Sequence, residues 1–342
     1  MVPERGLAMT PIETPTRTPS AESKDDTILP FEVAALDVRG RVVRLGSAVD
    51  EILSRHDYPP PVAKLLGEAI ALAALFGSAL KFDGRFMLQT KTDGPVRMLV
   101  VDYATSGNLR ACARFDKNAV AAATAAGEIS SGQLLGNGHL AMTIDQGGEM
   151  SRYQGVVALE GASLEEVAHE YFRRSEQIPT SVRLAVAEEF SAGEGGPKHR
   201  WRAGGMMLQF LPKATERMRG SDLDPGDAPE GINVPEAQDD DDAWVEGRSL
   251  METVEDLELI DPALSTEQLL FRLFHERGVR VFDSLNVQAQ CSCSRDSVSA
   301  MLRSFTQTDR DDMVENGVIS VTCEFCSETY VFDPDKVLDA AE

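Results

Sequence analysis

The sequence predicts an α+β protein in three parts: an N-terminal mixed sheet and helix domain, a helical linker, and a small C-terminal domain that holds most of the cysteines. Three observations predict it. Segments of strand character outnumber helical ones and come in adjacent runs, which favours antiparallel sheet over a doubly wound one. An acidic, proline-bearing stretch breaks the apolar patterning after Lys213. Finally, four of the five cysteines cluster near the C-terminus, in a segment too short to build much core of its own.

The first domain can be read in order. Residues 1–28 are rich in Pro, Thr, Ser and Glu and have little to bury, so they read as a disordered arm. Phe31–Val38 and Arg41–Leu45 read as a hairpin turning at Arg39-Gly40. Val49–Ser54 is a short helix. Tyr58-Pro59-Pro60-Pro61 opens a long one to about Leu80, because proline is tolerated in a first turn. Its apolar positions Val62, Leu65, Leu66, Ala69, Ile70, Ala73 and Phe76 share one broad face, which makes it the expected core helix. Strands follow at Arg85–Lys91, Val96–Tyr103 and Asn108–Phe115, then Gly138–Ile144 and Tyr153–Leu159. Ser163-Leu-Glu-Glu166 has the form of a helix start, with the helix running to about Arg174. Strands near Ser181–Phe190 and Gly205–Leu211 complete the domain, taken as residues 29–214.

The linker is taken as residues 215–285. Between Ser221 and Pro262 it is crowded with Asp and Glu, and Arg248 is the only basic residue there. The half with Pro225, Pro229 and Pro235 reads as disordered. Beyond it, Leu250, Val254 and Leu257 fall at helical spacing. Ser265-Thr-Glu-Gln268 has capping-box form and opens a helix through Leu269, Leu270, Leu273 and Phe274. Amphipathic helices of this kind need a surface to lie on. From the residues alone, permanent packing on the domains is the simpler expectation.

The last domain, 286–336, is followed by a tail at 337–342. Ser294 can cap a helix with Val298, Met301, Leu302 and Phe305 inward, and Val318–Thr322 and Thr329–Phe332 read as strands. Cys291-Ser-Cys293 and Cys323-Glu-Phe-Cys326 flank these elements. Two close thiol pairs brought together by the chain between them form a tetrahedral zinc site, one Zn2+ per chain, with Cys291, Cys293, Cys323 and Cys326 as ligands. His275, the nearest histidine, belongs to the preceding helix. A structural zinc staple and a redox switch share this ligand set, and the spacing does not choose between them. The fifth thiol, Cys112, lies in a strand and reads as a small buried side chain.

Bulk chemistry excludes several functions. A formal net charge of −23 argues against nucleic acid and against an anionic membrane surface. The most apolar run, Ala69–Leu80, is too short to cross a bilayer. Clustered thiols without a secretory leader suggest a reducing, cytoplasmic setting. There is no phosphate-binding loop and no nucleophile elbow, and the five histidines are scattered, so no catalytic residues are expected. Two alternatives remain open beside the switch. One is a scaffold whose zinc module docks a fixed partner. The other is a thiol oxidoreductase using Cys323 and Cys326, against which the missing βαβ context counts.

The residues resemble those of the 33 kDa chaperonin family, the redox-regulated, zinc-containing heat-shock holdases of bacteria. The C-terminal segments that carry the resemblance are Cys291-Ser-Cys293-Ser-Arg295, Cys323-Glu-Phe-Cys326 and Tyr330-Val-Phe332. In the first domain they include His56-Asp57-Tyr58-Pro59, Leu80-Lys81-Phe82-Asp83-Gly84 and Asp93-Gly94-Pro95. Gly136-Asn137-Gly138, Arg152-Tyr153-Gln154-Gly155, Ser175-Glu176-Gln177 and Gly204-Gly205-Met206 extend it, so that it runs from about Phe31 to Phe332. The resemblance implies zinc bound in a reduced, inactive state. It also implies disulfides Cys291–Cys293 and Cys323–Cys326 under oxidants, the second pair first, with zinc release and linker unfolding. The oxidised form would be a homodimer that holds unfolding client proteins without ATP under oxidative or heat stress, and the linker would then be a switched element. The N-terminal arm, the acidic insertion at 221–242 and Cys112 lie outside the family pattern.

Overall fold

Alternating burial from Thr27 onward builds the first hairpin, β1 (Thr27–Val33) and β2 (Val38–Leu45). The computed structural model describes residues 25–80, 83–147, 152–193, 196–211 and 241–334. Most of the expected arm, the acidic stretch before Asp241 and the C-terminal tail therefore lie outside the described residues. Thr27 and Ile28, read with the arm, belong to β1.

The hairpin turns earlier than the sequence suggests. A short 3-10 turn at Ala34–Leu36 ends on Asp37, whose φ of +50° makes the reversal. Gly40 sits inside β2 for a different reason. A Cβ there would lie 2.3 Å from the Phe31 ring and 2.5 Å from the Met207 carbonyl, so the missing side chain makes room for Phe31.

Helix α1 (Ser47–Ser54) leads to α2 (Pro60–Gly77), with proline in the first turn as expected. Nearly every residue of α2 from Val62 to Gly77 is buried, so it has no solvent face to set against an apolar one. By length and composition α2 is apolar enough to cross a membrane, contrary to the sequence expectation, but here its surface is taken up by two sheets. Then come β3 (Arg85–Thr92), β4 (Val96–Ala104) and β5 (Asn108–Phe115). Two helices that the sequence reading passed over follow, α3 (Lys117–Ala126) and α4 (Ser131–Leu135). Asp116 caps the first, and a Ser130–Gln133 capping box opens the second. Next are β6 (Asn137–Asp145), β7 (Tyr153–Glu160) and α5 (Leu164–Tyr171), which opens on the expected Ser163–Glu166 box. A π turn, Phe172–Glu176, leads to the long pair β8 (Thr180–Gly193) and β9 (Gly196–Phe210).

Three linker helices follow: α6 (Asp242–Glu252), α7 (Asp256–Ile260) and α8 (Thr266–Phe274). Val254 is buried as the helical spacing implies, but Leu257 points outward because the chain breaks between α6 and α7. Beyond α8 run three two-residue strands, β10 (Arg280–Val281), β11 (Leu285–Asn286) and β12 (Gln288–Ala289). The C-terminal module holds α9 (Arg295–Ser304), α10 (Gln307–Asp312), β13 (Val314–Glu315), β14 (Val318–Thr322) and β15 (Thr329–Phe332). The last two strands match their expected bounds. Met301 and Phe305 of the expected inward set are more than a third exposed, whereas Leu302 is buried.

Three sheets organise these elements among the described residues. One has the order β10-β1-β2-β9-β8, with β11 also on β1. A second has the order β12-β5-β4-β3-β6-β7, and a third β13-β14-β15. The first two enclose α2 in the main core. A second core forms where α6, α7 and α8 cover the outer face of the first sheet. The C-terminal module has three fully buried apolar side chains, Leu302, Ile319 and Phe332, so it depends on further support.

Candidate metal centre

The four clustered cysteines come from two short irregular segments held by regular ones. Cys291 leaves the β12 edge strand. Cys293 directly precedes Ser294, whose hydroxyl caps α9. Cys323 directly follows β14 and Cys326 lies in the turn before β15. In that turn the Cys323 N–H donates to the Glu328 carbonyl at 2.9 Å, and the Ser327 N–H donates back to the Cys323 carbonyl at 2.9 Å.

All four sulfurs lie within 4.8 Å of one another. Cys291 and Cys323 Sγ are 3.7 Å apart, and Cys293 and Cys326 Sγ are 3.3 Å apart. Four sulfurs about 2.3 Å from a zinc ion would be separated by about 3.8 Å, so the set fits a tetrahedral metal. The thiols are all free. The close contacts run between the two pairs as well as within the cluster, so the distances select no disulfide pairing. His275 caps the end of α8 with its ring against the Phe271 carbonyl and takes no part.

The electrostatics point the same way. Burial opposes ionisation of Cys291, yet hydrogen bonds from the Cys293 backbone and the neighbouring thiols bring it down to about 7. Burial and neighbouring sulfurs push Cys293 and Cys326 up. One thiolate is accommodated and further ones are resisted, as expected when like charges share a site. A divalent cation reverses that balance. The Tyr330 hydroxyl donates to Cys293 Sγ at 3.3 Å and supports the sulfur from outside the cluster.

The cluster rests on the second sheet. Along β5, Leu109, Ala111 and Ala113 face the core, while Arg110, Cys112 and Arg114 share the other face. Arg110 lies 4.3 Å over the Phe325 ring and is anchored by the buried Asp102, 2.7 Å away. Arg114 pairs with Glu324. His56 Nε2 donates to the Phe325 carbonyl at 3.3 Å, and its Nδ1 accepts from the Ser327 hydroxyl at 3.2 Å. The sequence reading missed this seat. The strand alternation of Arg110, Cys112 and Arg114 was its only signal. Cys112 is buried as expected, and burial, then Glu324, pushes it up to about 11.

The linker has its own anchorage. Arg44 Nη1 donates to the Asp261 carbonyl at 2.7 Å, and the same guanidinium reaches the Glu258 and Leu264 carbonyls. Arg202 Nε donates to the Ile260 carbonyl at 2.7 Å while holding Asp25. Gly204 lets α7 close in, since a Cβ there would meet the Leu259 carbonyl at 2.3 Å.

Fold and site together define a two-sheet core joined by a packed helical linker to a module whose four clustered cysteines could hold a metal ion. The Hsp33 protein family model matches residues 26–333. A 33 kDa chaperonin of Caulobacter vibrioides is 49% identical over 313 residues, covering 91% of this chain and 95% of the relative. One of Ectopseudomonas mendocina is 35% identical over 299 residues, covering 87% and 88%. In structure, the 33 kDa chaperonin of Thermotoga maritima matches with a TM-score of 0.67 at 20% identity, over 92% of this chain and 97% of that one. The chain belongs to the Hsp33 family, whose members are chaperones rather than enzymes.

Proposed function

We propose that this chain is a redox-regulated holdase that binds unfolding proteins without ATP, switched by its four clustered cysteines. The observation that carries the reading is the convergence of Cys291, Cys293, Cys323 and Cys326 within 4.8 Å at the end of a linker that covers an apolar sheet face. In the reduced state these thiolates hold one Zn2+, and the metal supplies the folding energy that three buried apolar side chains do not. Peroxide takes two electrons from each pair. Two thiolates, two protons and one peroxide become one disulfide and two waters. The family resemblance assigns the pairs as Cys291–Cys293 and Cys323–Cys326, the second forming first.

Loss of the metal then removes the module from its seat on β5. The linker loses its C-terminal anchor, and α6, α7 and α8 leave the first sheet. That bares Leu29, Phe31, Val42, Met206, Leu208 and Phe210, all buried in the packed state. A contiguous apolar face of this kind suits exposed apolar segments of an unfolding chain, and methionine adapts to varied shapes. A homodimeric active form and a bacterial cytoplasmic setting, with neither nucleic acid nor membrane as partner, complete the proposal.

The test compares aggregation of a heat-unfolded reporter protein with the reduced, zinc-loaded form and with the peroxide-oxidised form. Suppression by the oxidised form alone is expected. Equal suppression by both forms would remove the switch.

A further inference from the structure

Eleven residues between the linker helices and Cys291, Arg280 to Gln290, lie along the edges of both main sheets. From Arg280 to Asn286 the chain runs antiparallel to β1, pairing Phe31 with Val281, Ile28 with Leu285 and Thr27 with Asn286. It then crosses to the second sheet and pairs in parallel with β5, Gln288 with Asn108 and Ala289 with Leu109. The backbone bonds mark one continuous track. The N–H groups of Phe282, Val287, Gln288 and Gln290 donate to the carbonyls of Pro30, Asp26, Gly107 and Leu109 at 2.8–3.0 Å.

Side chains of this strap alternate. Val287 is 5% exposed and joins the main core, and Ala289 packs against that core from its rim. Leu285, two residues earlier, lines a hollow of about 400 Å³ with Leu80 and Tyr103. Asn286, Gln288 and Gln290 face outward. The track thus accepts an extended backbone along the edges of both sheets and takes apolar side chains at Val287 and Ala289, with Leu285, 41% exposed, at its rim.

We propose that this track is a client-binding site, taken in the active state by an extended segment of an unfolding protein with apolar residues at alternate positions. The strap is its internal stand-in. The inference rests on the redox-switch reading, because the strap must leave for the track to open. Its two ends are pinned by α8 and by Cys291, and both anchors go when the module unfolds. Two-residue strands with one fully buried apolar side chain, Val287, do not hold a free peptide of this length in place. Unsatisfied carbonyls at a sheet edge template strand addition, whatever the partner's exact sequence. Pro30 lacks an N–H and leaves β1 with one donor fewer, which discourages the protein from pairing with its own copies there. Segments of alternating apolar character are those most prone to aggregate as strands, so the site selects the clients that most need holding.

The test uses the full chain and a fluorescein-labelled peptide of residues 279–290, followed by anisotropy. The peptide is expected to bind the oxidised form at least tenfold more tightly than the reduced form. Reduced, carboxymethylated α-lactalbumin, a permanently unfolded probe, should displace it. The same peptide carrying Leu285→Asp and Val287→Asp should bind at least tenfold more weakly. In the full chain, L285D/V287D should bind the unfolded probe while reduced and zinc-loaded. If the oxidised protein binds the unfolded probe but not the peptide, or binds both peptides alike, the track is not the site. If the wild-type protein neither releases zinc nor binds the probe after oxidation, the redox-switch reading fails and takes this inference with it.

Discussion

Glu68 shows how much a single side chain can set. It lies on α2, largely buried, and accepts a hydrogen bond from the Ser131 hydroxyl. Burial pushes its carboxyl up to about 7, against the lowering effects of Ser131 and Lys64. The folded state therefore holds a proton that the unfolded chain gives up at lower pH. Stability is fully retained below the ordinary carboxylate range, falls as pH rises from about 4.5 to 7, and stays reduced above that. Glu68→Gln is expected to stabilise the protein by up to about 3 kcal/mol at pH 8 and to flatten that slope, as read by urea unfolding across pH. Residues of this kind are hard to find in sequence, because a Glu on a helix usually faces water. The cysteines are the opposite case. Their spacing alone indicated a shared metal, and the sulfurs converge accordingly. What spacing did not carry was the seat: His56, Arg110 and Arg114 lie far upstream in the chain and meet the Cys323–Cys326 turn only through the tertiary fold.

Among elements, the linker helices are the ones whose state matters. Their capping boxes and apolar spacing were legible, Ser265 and Gln268 most clearly. The surface they cover was not, because it is made by β1, β2 and β9 from both ends of the first domain. Nor could local pattern give the role of Arg44, a buried cation in a strand that reads as ordinary alternation. Its guanidinium serves three carbonyls around the end of α7, those of Glu258, Asp261 and Leu264, where the helix leaves carbonyls without a following turn. Arg44→Ala is expected to cost about 3 kcal/mol of linker packing. The reduced, zinc-loaded variant should then show partial client binding without oxidant. Unchanged linker protection in hydrogen exchange would contradict this role. The helices α3 and α4 were passed over because α3 has Val120 as its single large apolar side chain, too little to show a period, and α4 is five residues long, so only their caps mark them.

At the scale of the whole molecule, one chain of dependence links the cysteine cluster to the apolar surface. The cysteine module has too little core to stand alone, it sits on β5, and the strap and linker run back from it across both sheets. The α+β class was legible, since strand runs and the cysteine cluster are each local signals. The two-sheet enclosure of α2 and the use of linker residues as sheet edges are long-range facts that no window contains. The account's central claim is that metal-held thiolates keep linker and strap packed. Its most direct test is a peroxide time course at raised temperature that follows zinc release, free thiols and hydrogen exchange together. The account predicts that the Cys323 and Cys326 thiols are lost first and the Cys291 and Cys293 thiols after them, that zinc leaves in the course of this oxidation, and that protection in residues 242–290 collapses while α2 stays protected. Zinc loss that leaves residues 242–290 fully protected would contradict it.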